Sequence, residues 1–331
     1  QVGSDTDPYQ LGLSYELSPK NYSGYALSQI ANTTIPNKDL KPTKTNSAEV
    51  GLELKFLKNR IGLDFTYYTQ KSSNQIRRLY TTGTSGYNSM LINAGEIENK
   101  GVEIALNTRP IQTKDFSWDL NINFSKNSNK VKRLASGIKE FELESARWIN
   151  VKVAAVEGEN YGSILGKDFL RNDAGQIIVD ASTGLPKVTE DLRVLGNATW
   201  KWTGGITTNL TYRDISLSAI FDIKVGADVY SMSARSSYMT GKDKATLAGR
   251  DGWYESEEQR LQAGVKESNW EATGGYVVEG VVEMPDGSFA ENKKFVDPEV
   301  YWKHIADQTP VPFIYDNSYV KVREITLAYR T

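Results

Sequence analysis

A few groups of residues have types and spacings that chemistry can use. Glu140, Glu142 and Glu144 are carboxylates of the sort a glycosidase sets on either side of a scissile bond. At alternate positions, though, they share one strand face, with Phe141 and Leu143 opposite. That is a solvated face rather than a pair of converging acids. The stretch Gly158-Glu159-Asn160-Tyr161-Gly162-Ser163-Ile164-Leu165-Gly166-Lys167-Asp168 ends in Gly-Lys, like a phosphate loop. A phosphate loop needs Ser or Thr after the Lys and then a helix; Asp168 and an extended segment follow here, so these are loop glycines. Asp168, Asn172, Asp173 and Gly175 sketch a calcium loop but lack its full ligand pattern and closing Glu, and a β-turn accounts for them. His304, the single histidine, has no Ser, Cys or metal-ligand neighbour at an informative spacing. The chain therefore does not read as an enzyme, and no catalytic residue, metal site or cofactor is expected.

The remaining chemistry is aromatic. Tyr80, Tyr87, Trp148, Tyr161, Trp253, Tyr254, Trp270 and Tyr276 stand in polar, glycine-rich stretches. Flat rings offer apolar faces to sugar C–H groups and, in Tyr and Trp, a polar edge. Tyr87, Trp148, Tyr161, Trp253, Tyr254 and Tyr276 are the candidate ligand-binding residues. The competing role for each is to knit a long loop together or to meet a partner protein.

The elements that would carry these loops are two-faced hairpins. In residues 47–57, Ala48, Val50, Leu52, Leu54 and Phe56 alternate with polar residues and Gly51; in 61–71, Ile61, Leu63, Phe65 and Tyr67 do the same. Period-two alternation is the mark of a strand with one apolar and one polar face. Lys58-Asn59-Arg60 makes a short turn between them. The pattern returns in 100–108 with 116–125, in 203–212 with 215–224, and in a seventh strand, 318–329, that lacks its partner. Residues 1–46 read as irregular, with 11–17 a strand, 26–30 a short helix or strand, and a break at Pro42. The long link 126–200 carries a small hairpin around residues 176–179.

Short and long connections alternate along the chain, so every short turn falls at one end of the strands and every long link at the other. A soluble sandwich gives no reason for this; an outer-membrane barrel does. Its strands need about ten residues. Tyr67, Trp118, Trp202, Tyr212 and Tyr329 sit near strand ends, where an interfacial belt belongs. The apolar face would then meet lipid. Glu53, Asp64, Glu103, Asn107, Asp119, Asn121, Asn209 and Asp222 would line a wet lumen. No apolar run is long enough for a transmembrane helix, which a barrel does not require. The mean hydropathy of −0.48 fits interleaved polar and apolar residues. The net charge of −2 gives no reason to expect nucleic acid, and zero Cys excludes a disulfide framework. Open sheet edges cannot face lipid, so the rest of such a barrel must lie outside this sequence. Starting at Gln1 without Met or signal peptide, the sequence reads as a piece of a longer precursor.

Several motifs then resemble those of SusC/RagA-type TonB-dependent transporters, and in that family's order. They are Asn37-Lys38-Asp39-Leu40-Lys41 before a strand; Asp64-Phe65-Thr66-Tyr67-Tyr68; Asn93-Ala94-Gly95-Glu96-Ile97-Glu98-Asn99-Lys100-Gly101-Val102-Glu103; and Leu195-Gly196-Asn197 followed by Trp202-Thr203-Gly204-Gly205, with Trp200 where Pro is usual. The last is Ser318-Tyr319-Val320-Lys321-Val322-Arg323-Glu324 near the end of the barrel. The resemblance implies an all-β fold: a transmembrane, antiparallel, up-and-down β-barrel with long extracellular loops, this chain forming part of a 22-stranded whole. Residues 1–46 would be an extracellular loop with a possible strand and 47–331 the C-terminal part of the barrel, without plug domain, TonB-contacting segment or final strands. It further implies import of an oligomeric nutrient, oligosaccharide before peptide, across the outer membrane. The implied partners are outer-membrane lipid, a SusD-like surface lipoprotein as lid, and TonB acting through an absent N-terminal region. A peptide or metal-chelate importer of the same fold, a soluble surface β-sandwich adhesin and a secreted glycan-degrading enzyme are the alternatives.

Overall fold

A computed structural model describes residues 2–4, 12–30, 34–82, 84, 87–146 and 151–330. Its main element is an eight-stranded sheet in which spatial neighbours follow chain order and every pairing is antiparallel. The strands are β1 (Val2–Ser4), β2 (Thr43–Phe56), β3 (Ile61–Ser73), β4 (Gly95–Gln112), β5 (Phe116–Leu134), β6 (Trp202–Tyr212), β7 (Ile215–Val225) and β8 (Tyr319–Tyr329). β1 is an eighth strand that alternation does not mark. β8 pairs with β7 along one edge. β4 and β5 run 18 and 19 residues, well past the 100–108 and 116–125 stretches where the alternation is clean. Their upper halves stay in register, Ser125 with Glu103 through Asn129 with Asn99. Backbone pairing there continues after the apolar–polar contrast has faded, because the ladder depends on N–H and C=O groups rather than side-chain polarity.

All short turns lie on one rim and are bonded to one another. The β2–β3 turn begins one residue earlier than Lys58-Asn59-Arg60 suggests: Leu57, Lys58 and Asn59 all take positive φ, and Arg60 N–H donates to Leu57 O at 3.3 Å. The Arg60 guanidinium then donates to the carbonyls of Arg109 and Pro110 near the end of β4, at 3.1 and 2.7 Å. Arg213 N–H donates to Asp115 O and Arg330 N–H to Asp214 O, both at 2.8 Å.

Register turns the alternation into rows of like side chains across the sheet. One row runs Leu52, Phe65, Ile104, Phe124, Gly204, Ile223, Val320; the next runs Leu54, Leu63, Leu106, Ile122, Ile206, Phe221, Val322. None of these is fully buried except Gly204. The apolar face is a surface, with Val50, Leu52, Val320, Ile325 and Leu327 more than half or nearly half exposed. Apolar rows extend from Ile215 to Ile223 on β7, about 27 Å along the strand and about 20 Å of height at barrel-like tilt. Aromatic residues close the band at both ends. Trp202 packs on Phe124 (5.6 Å), Trp200 meets Tyr319 edge-on (5.8 Å), and Arg213 lies over Tyr212 (5.4 Å) at the turn rim.

The buried core lies in the long connections instead. The larger cluster, Phe169, Val179, Val278, Val296, Tyr301, Ile305, Ala306 and Phe313, joins the link after β5 to the link after β7. That last link holds three helices, α1 (Met232–Met239), α2 (Arg250–Gln262) and α3 (Pro298–Gln308), which strand-scale alternation does not reveal. Asp297 caps α3 by accepting from Glu299 N–H at 2.8 Å, and Pro298 opens it. A smaller cluster, Val131, Leu134 and Ala155 with Ile138, Phe141 and Tyr161, seats the link after β5 on the upper end of β5. Val131 and Leu134 lie opposite Ile97 and Gly95, on the polar side of the sheet. The loop mass therefore overhangs the polar face and leaves the apolar face bare. The turn at residues 172–175 forms, but its hairpin shrinks to single bridges, and Ile178–Val179 also pairs in parallel with Val281–Glu283 of the next link. In 1–46 the structure places a hairpin, Tyr15–Tyr22 with Tyr25–Ile30, so 26–30 is strand.

Candidate functional site

Two of the aromatic candidates, Trp253 and Tyr254, meet where the three helices come together. A cleft of about 470 Å³ is walled by Tyr238 of α1, Arg250, Trp253 and Tyr254 of α2, and Trp302 and Lys303 of α3. Tyr254 is exposed and Trp253 half-buried. Behind them the rings form a connected set. Tyr238 meets Trp302 at 4.8 Å and Phe313 at 5.4 Å, Trp302 meets Tyr301 at 4.8 Å, and Tyr276 stacks on Tyr301 at 4.4 Å. Edge-to-face and offset contacts of this kind hold ring angles fixed. Burial, with Tyr276 beside it, pushes the Tyr301 hydroxyl well above the usual phenol range, so it stays protonated. Burial also raises Tyr238, helped by Asp243.

The two cations of the cleft are held by neighbours. Arg250 donates to Thr246 O (2.7 Å), Gly241 O (2.8 Å) and the Thr246 hydroxyl (2.6 Å). Lys303 pairs with Glu299 one helical turn back. The lobe is anchored from below by Arg235, only 4% exposed, which donates to Ala306 O at 2.7 Å and Asp307 at 2.8 Å.

Of the six predicted ligand residues, Trp253 and Tyr254 share this cleft. Tyr276 belongs to the aromatic core and lines a second, wider cleft of about 1110 Å³ that backs on the same Tyr238 and Trp302. Tyr161 packs on the small cluster at the top of β5, some distance in the chain from the others. Tyr87 sits in the first long link, its carbonyl accepting from the Thr81 hydroxyl at 3.1 Å. Trp148 lies outside the described residues. Of the other loop rings, Tyr80 is exposed, and Trp270 donates to the Ser256 hydroxyl at 3.1 Å. Sequence reasoning missed Tyr238, Arg250 and Trp302. Only the helical pattern of residues 298–308, with its cap and buried Tyr301, Ile305 and Ala306, could have exposed the last. Glu140 pairs with Lys152, and His304 Nε2 lies 3.0 Å from Pro186 O. Both are structural contacts.

The eight polar residues read as facing a lumen do share one face. Glu53 is opposite Asp64, Glu103 opposite Thr66, Asn107 opposite Asn121, Asp119 opposite Asn209, and Asp222 opposite Gly205. Partners are local: Lys55 for Glu53 (2.6 Å), Arg109 for Asp119 (2.6 Å) and Arg323 for Asp222 (3.1 Å). Higher on this face Tyr68 lies flat over Gly101, where a Cβ would stand 2.2 Å from the ring.

An uncovered apolar band, ringed by aromatics and backed by a polar face, on a meander whose turns share one rim, is the wall of a membrane barrel. The model of the family described as "TonB dependent receptor-like, beta-barrel" matches residues 6–214. The chain belongs to that family. Among its relatives, "TonB-dependent receptor P3" of Formosa agariphila is 28% identical over 242 residues, which cover 65% of this chain and 24% of that protein. "TonB-dependent receptor SusC" of Bacteroides thetaiotaomicron is 36% identical over 102 residues, 30% of this chain and 10% of that one. This chain thus spans about a quarter of the length of the first of these. In fold it is similar to the RagAB peptide importer in its closed-closed state, with a TM-score of 0.67 at 17% identity over 99% of this chain and 33% of that one.

Proposed function

We propose that this chain forms part of the wall and the outward loops of an outer-membrane importer of the SusC/RagA kind, working with TonB and carrying oligosaccharide. Residues 47–331 supply most of the later barrel strands, and 1–46 add β1, the first residues of β2 and an outside hairpin; the plug comes from other parts of the full-length protein. The observation that carries this reading is the asymmetry of the sheet. Its apolar rows are left bare, while its polar face is overhung by the loop lobe. A soluble sandwich would cover the apolar face instead. Glu53, Asp64, Glu103, Asn107, Asp119, Asn121, Asn209 and Asp222 then line the transport path.

The helical lobe stands on the outside, where a SusD-like lipoprotein would close over it. Its cleft supports a neutral cargo. Trp253 and Tyr254 present ring faces, and the two cations of the lining, Arg250 and Lys303, are matched by its two acids, Asp297 and Glu299, so no net charge favours an anionic chelate. Among the described residues no cluster could hold a metal ion. The test is to purify the full-length protein from membranes in detergent with whatever accompanies it, then measure binding of a panel of neutral oligosaccharides and of peptides. Trp253→Ala with Tyr254→Ala should weaken oligosaccharide binding about tenfold or more, as loss of two stacking rings implies. Peptide binding that survives unchanged beside no oligosaccharide binding would refute the cargo assignment. A protein that is soluble and free of lipid would refute the importer.

A further inference from the structure

The apolar face of β2–β5 does not end at the band. It continues upward for three more rows in which greasy residues give way to cations. Above Val50, Tyr67 and Val102 the register places Lys126 in their own row, then Lys100, then Lys71 and Lys130 with Glu98, and finally Lys44 and Arg133 with Glu96. Lys132, in the β-bulge of β5, points the same way, since it reaches Glu98 at 3.4 Å. That makes seven basic side chains on this face against two acidic ones. Glu96 pairs with Lys71 at 2.8 Å and Glu98 with Lys100 at 2.8 Å. Lys44, Lys126, Lys130 and Arg133 are exposed and have no acidic partner among the described residues. The opposite face at the same height carries a single charge, Glu49, among Gln70, Asn99, Asn127 and Asn129. The full chain is net negative, so this concentration is local.

We propose that this basic shelf is a docking surface for net-anionic lipid headgroups ending in a phosphate monoester, in the leaflet on the loop side of the band. The inference rests on the membrane reading above and adds to it which lipid the wall selects. Two features argue for a lipid rather than a protein. The shelf is continuous with the apolar rows on the same strands, so a molecule lying against Val50, Tyr67 and Val102 with its acyl chains brings its headgroup level with Lys100, Lys126 and Lys130. Apart from Arg133, which borders a cleft with Ser73 and Glu96 at the top of β5, the cations also stand on an open ladder, which suits several mobile headgroups held by charge. Lys and Arg at such a boundary extend their stems over apolar surface and keep the charge in the polar layer.

The experiment places the full-length protein in nanodiscs of phosphatidylcholine, alone or mixed with phosphatidate, and measures the phosphatidate retained around it by native mass spectrometry. The wild type should enrich phosphatidate over phosphatidylcholine, and the enrichment should fade as salt rises. Neutralising Lys126, Lys130 and Arg133 together to Gln should lower it about a hundredfold, at about fivefold per cation. Lys126→Arg with Lys130→Arg should keep it, which controls for folding. Entry into pure phosphatidylcholine should be the same for all three proteins. Equal enrichment in the wild type and the triple Gln variant would overturn the proposal while leaving the membrane reading intact. So would loss of a co-purifying lipoprotein from the triple variant with lipid retention unchanged. Failure of the wild type to enter any disc would defeat the membrane reading itself.

Discussion

Ile325 and Tyr329 separate a lipid-facing wall from a water-facing one. Both lie on β8, on the apolar face, and they are almost equally exposed, 67% and 69%. Only their height differs. Ile325 is paired with Ala219, the middle of the five apolar rows on β7, and Tyr329 with Ile215 at the turn rim. Four residues at about 3.4 Å each put them about 14 Å apart along the strand, or about 10 Å in height at a tilt near 40°. Half the thickness of a barrel's apolar band is about 12 Å. Ile325 therefore sits near the midplane and Tyr329 near the interface. Arginine on a lipid face costs about 2–4 kcal/mol at the midplane and about 0–1 kcal/mol near the interface. Ile325→Arg should then destabilise the full-length protein in lipid vesicles by about 2–4 kcal/mol, and Tyr329→Arg by about 1 kcal/mol or less. Thr326→Arg, one residue along and on the polar face, should cost little. Urea titration of the vesicle-folded protein, read by the shift in midpoint at unchanged slope, measures all three. If the face met water, the two outward substitutions would behave alike. Equal costs for Ile325→Arg and Tyr329→Arg, or a larger cost for Thr326→Arg, would refute the assignment of the apolar face to lipid.

Gly101→Ala should cost about 1–3 kcal/mol in the same titration, because its Cβ would stand 2.2 Å from the Tyr68 ring, and Tyr68→Ala in the same chain should relieve most of the clash. Asp180 is held at about 2 by the Ser182 hydroxyl and the Thr183 N–H, below the ordinary value of 3.8. Its folded pKa is depressed, so its contribution is present above about pH 4 and is lost as pH falls through about 2. Asp180→Asn should thus speed proteolysis of the 180–185 turn at pH 7, and the difference from wild type should close near pH 2, where an acid-active protease can read it. Arg235→Met removes the donor that reaches Ala306 O and Asp307 and leaves a buried carbonyl unpaired. It should loosen the helical lobe by about 1–3 kcal/mol, seen as faster hydrogen exchange in α1 and α3 with the β2–β5 ladder unchanged.

The wall is legible in the sequence because a sheet between lipid and water is under one strict rule. Along most of β2, β3, β6 and β7 apolar and polar residues alternate, with breaks such as Tyr67-Tyr68 and Ile220-Phe221, and that contrast survives in a single sequence. The upper halves of β4 and β5 are not legible, because above the band both faces meet polar surroundings; Lys126 and Lys130 look like loop residues until the ladder places them in rows. The helices of the last link are hidden for a different reason. α1 and α2 are short and each has a single buried residue, Arg235 and Ser256, so no apolar stripe marks them. Hence the cleft could be anticipated only through its rings. Trp253 and Tyr254 are found by type, Tyr238 and Trp302 are missed, and Tyr276 is turned into the core by its stack on Tyr301.

The turns of the sheet are stitched to one another like a hem: Arg60 to Arg109, Asp115 to Arg213, Asp214 to Arg330. At the opposite end the neighbours part into long excursions, and these are tied at their roots, Lys201 N–H to Val225 O, Gly226 N–H to the Ser318 hydroxyl and Asn317 N–H to Ala227 O, and again higher up where Ile178–Val179 pairs with Val281–Val282. The staves are therefore bound at both margins, by tight turns on one side and by folded lobes on the other. Foreign sequence and reshaping on contact with another molecule are taken up in the lobes, while the hem keeps the spacing of the staves fixed.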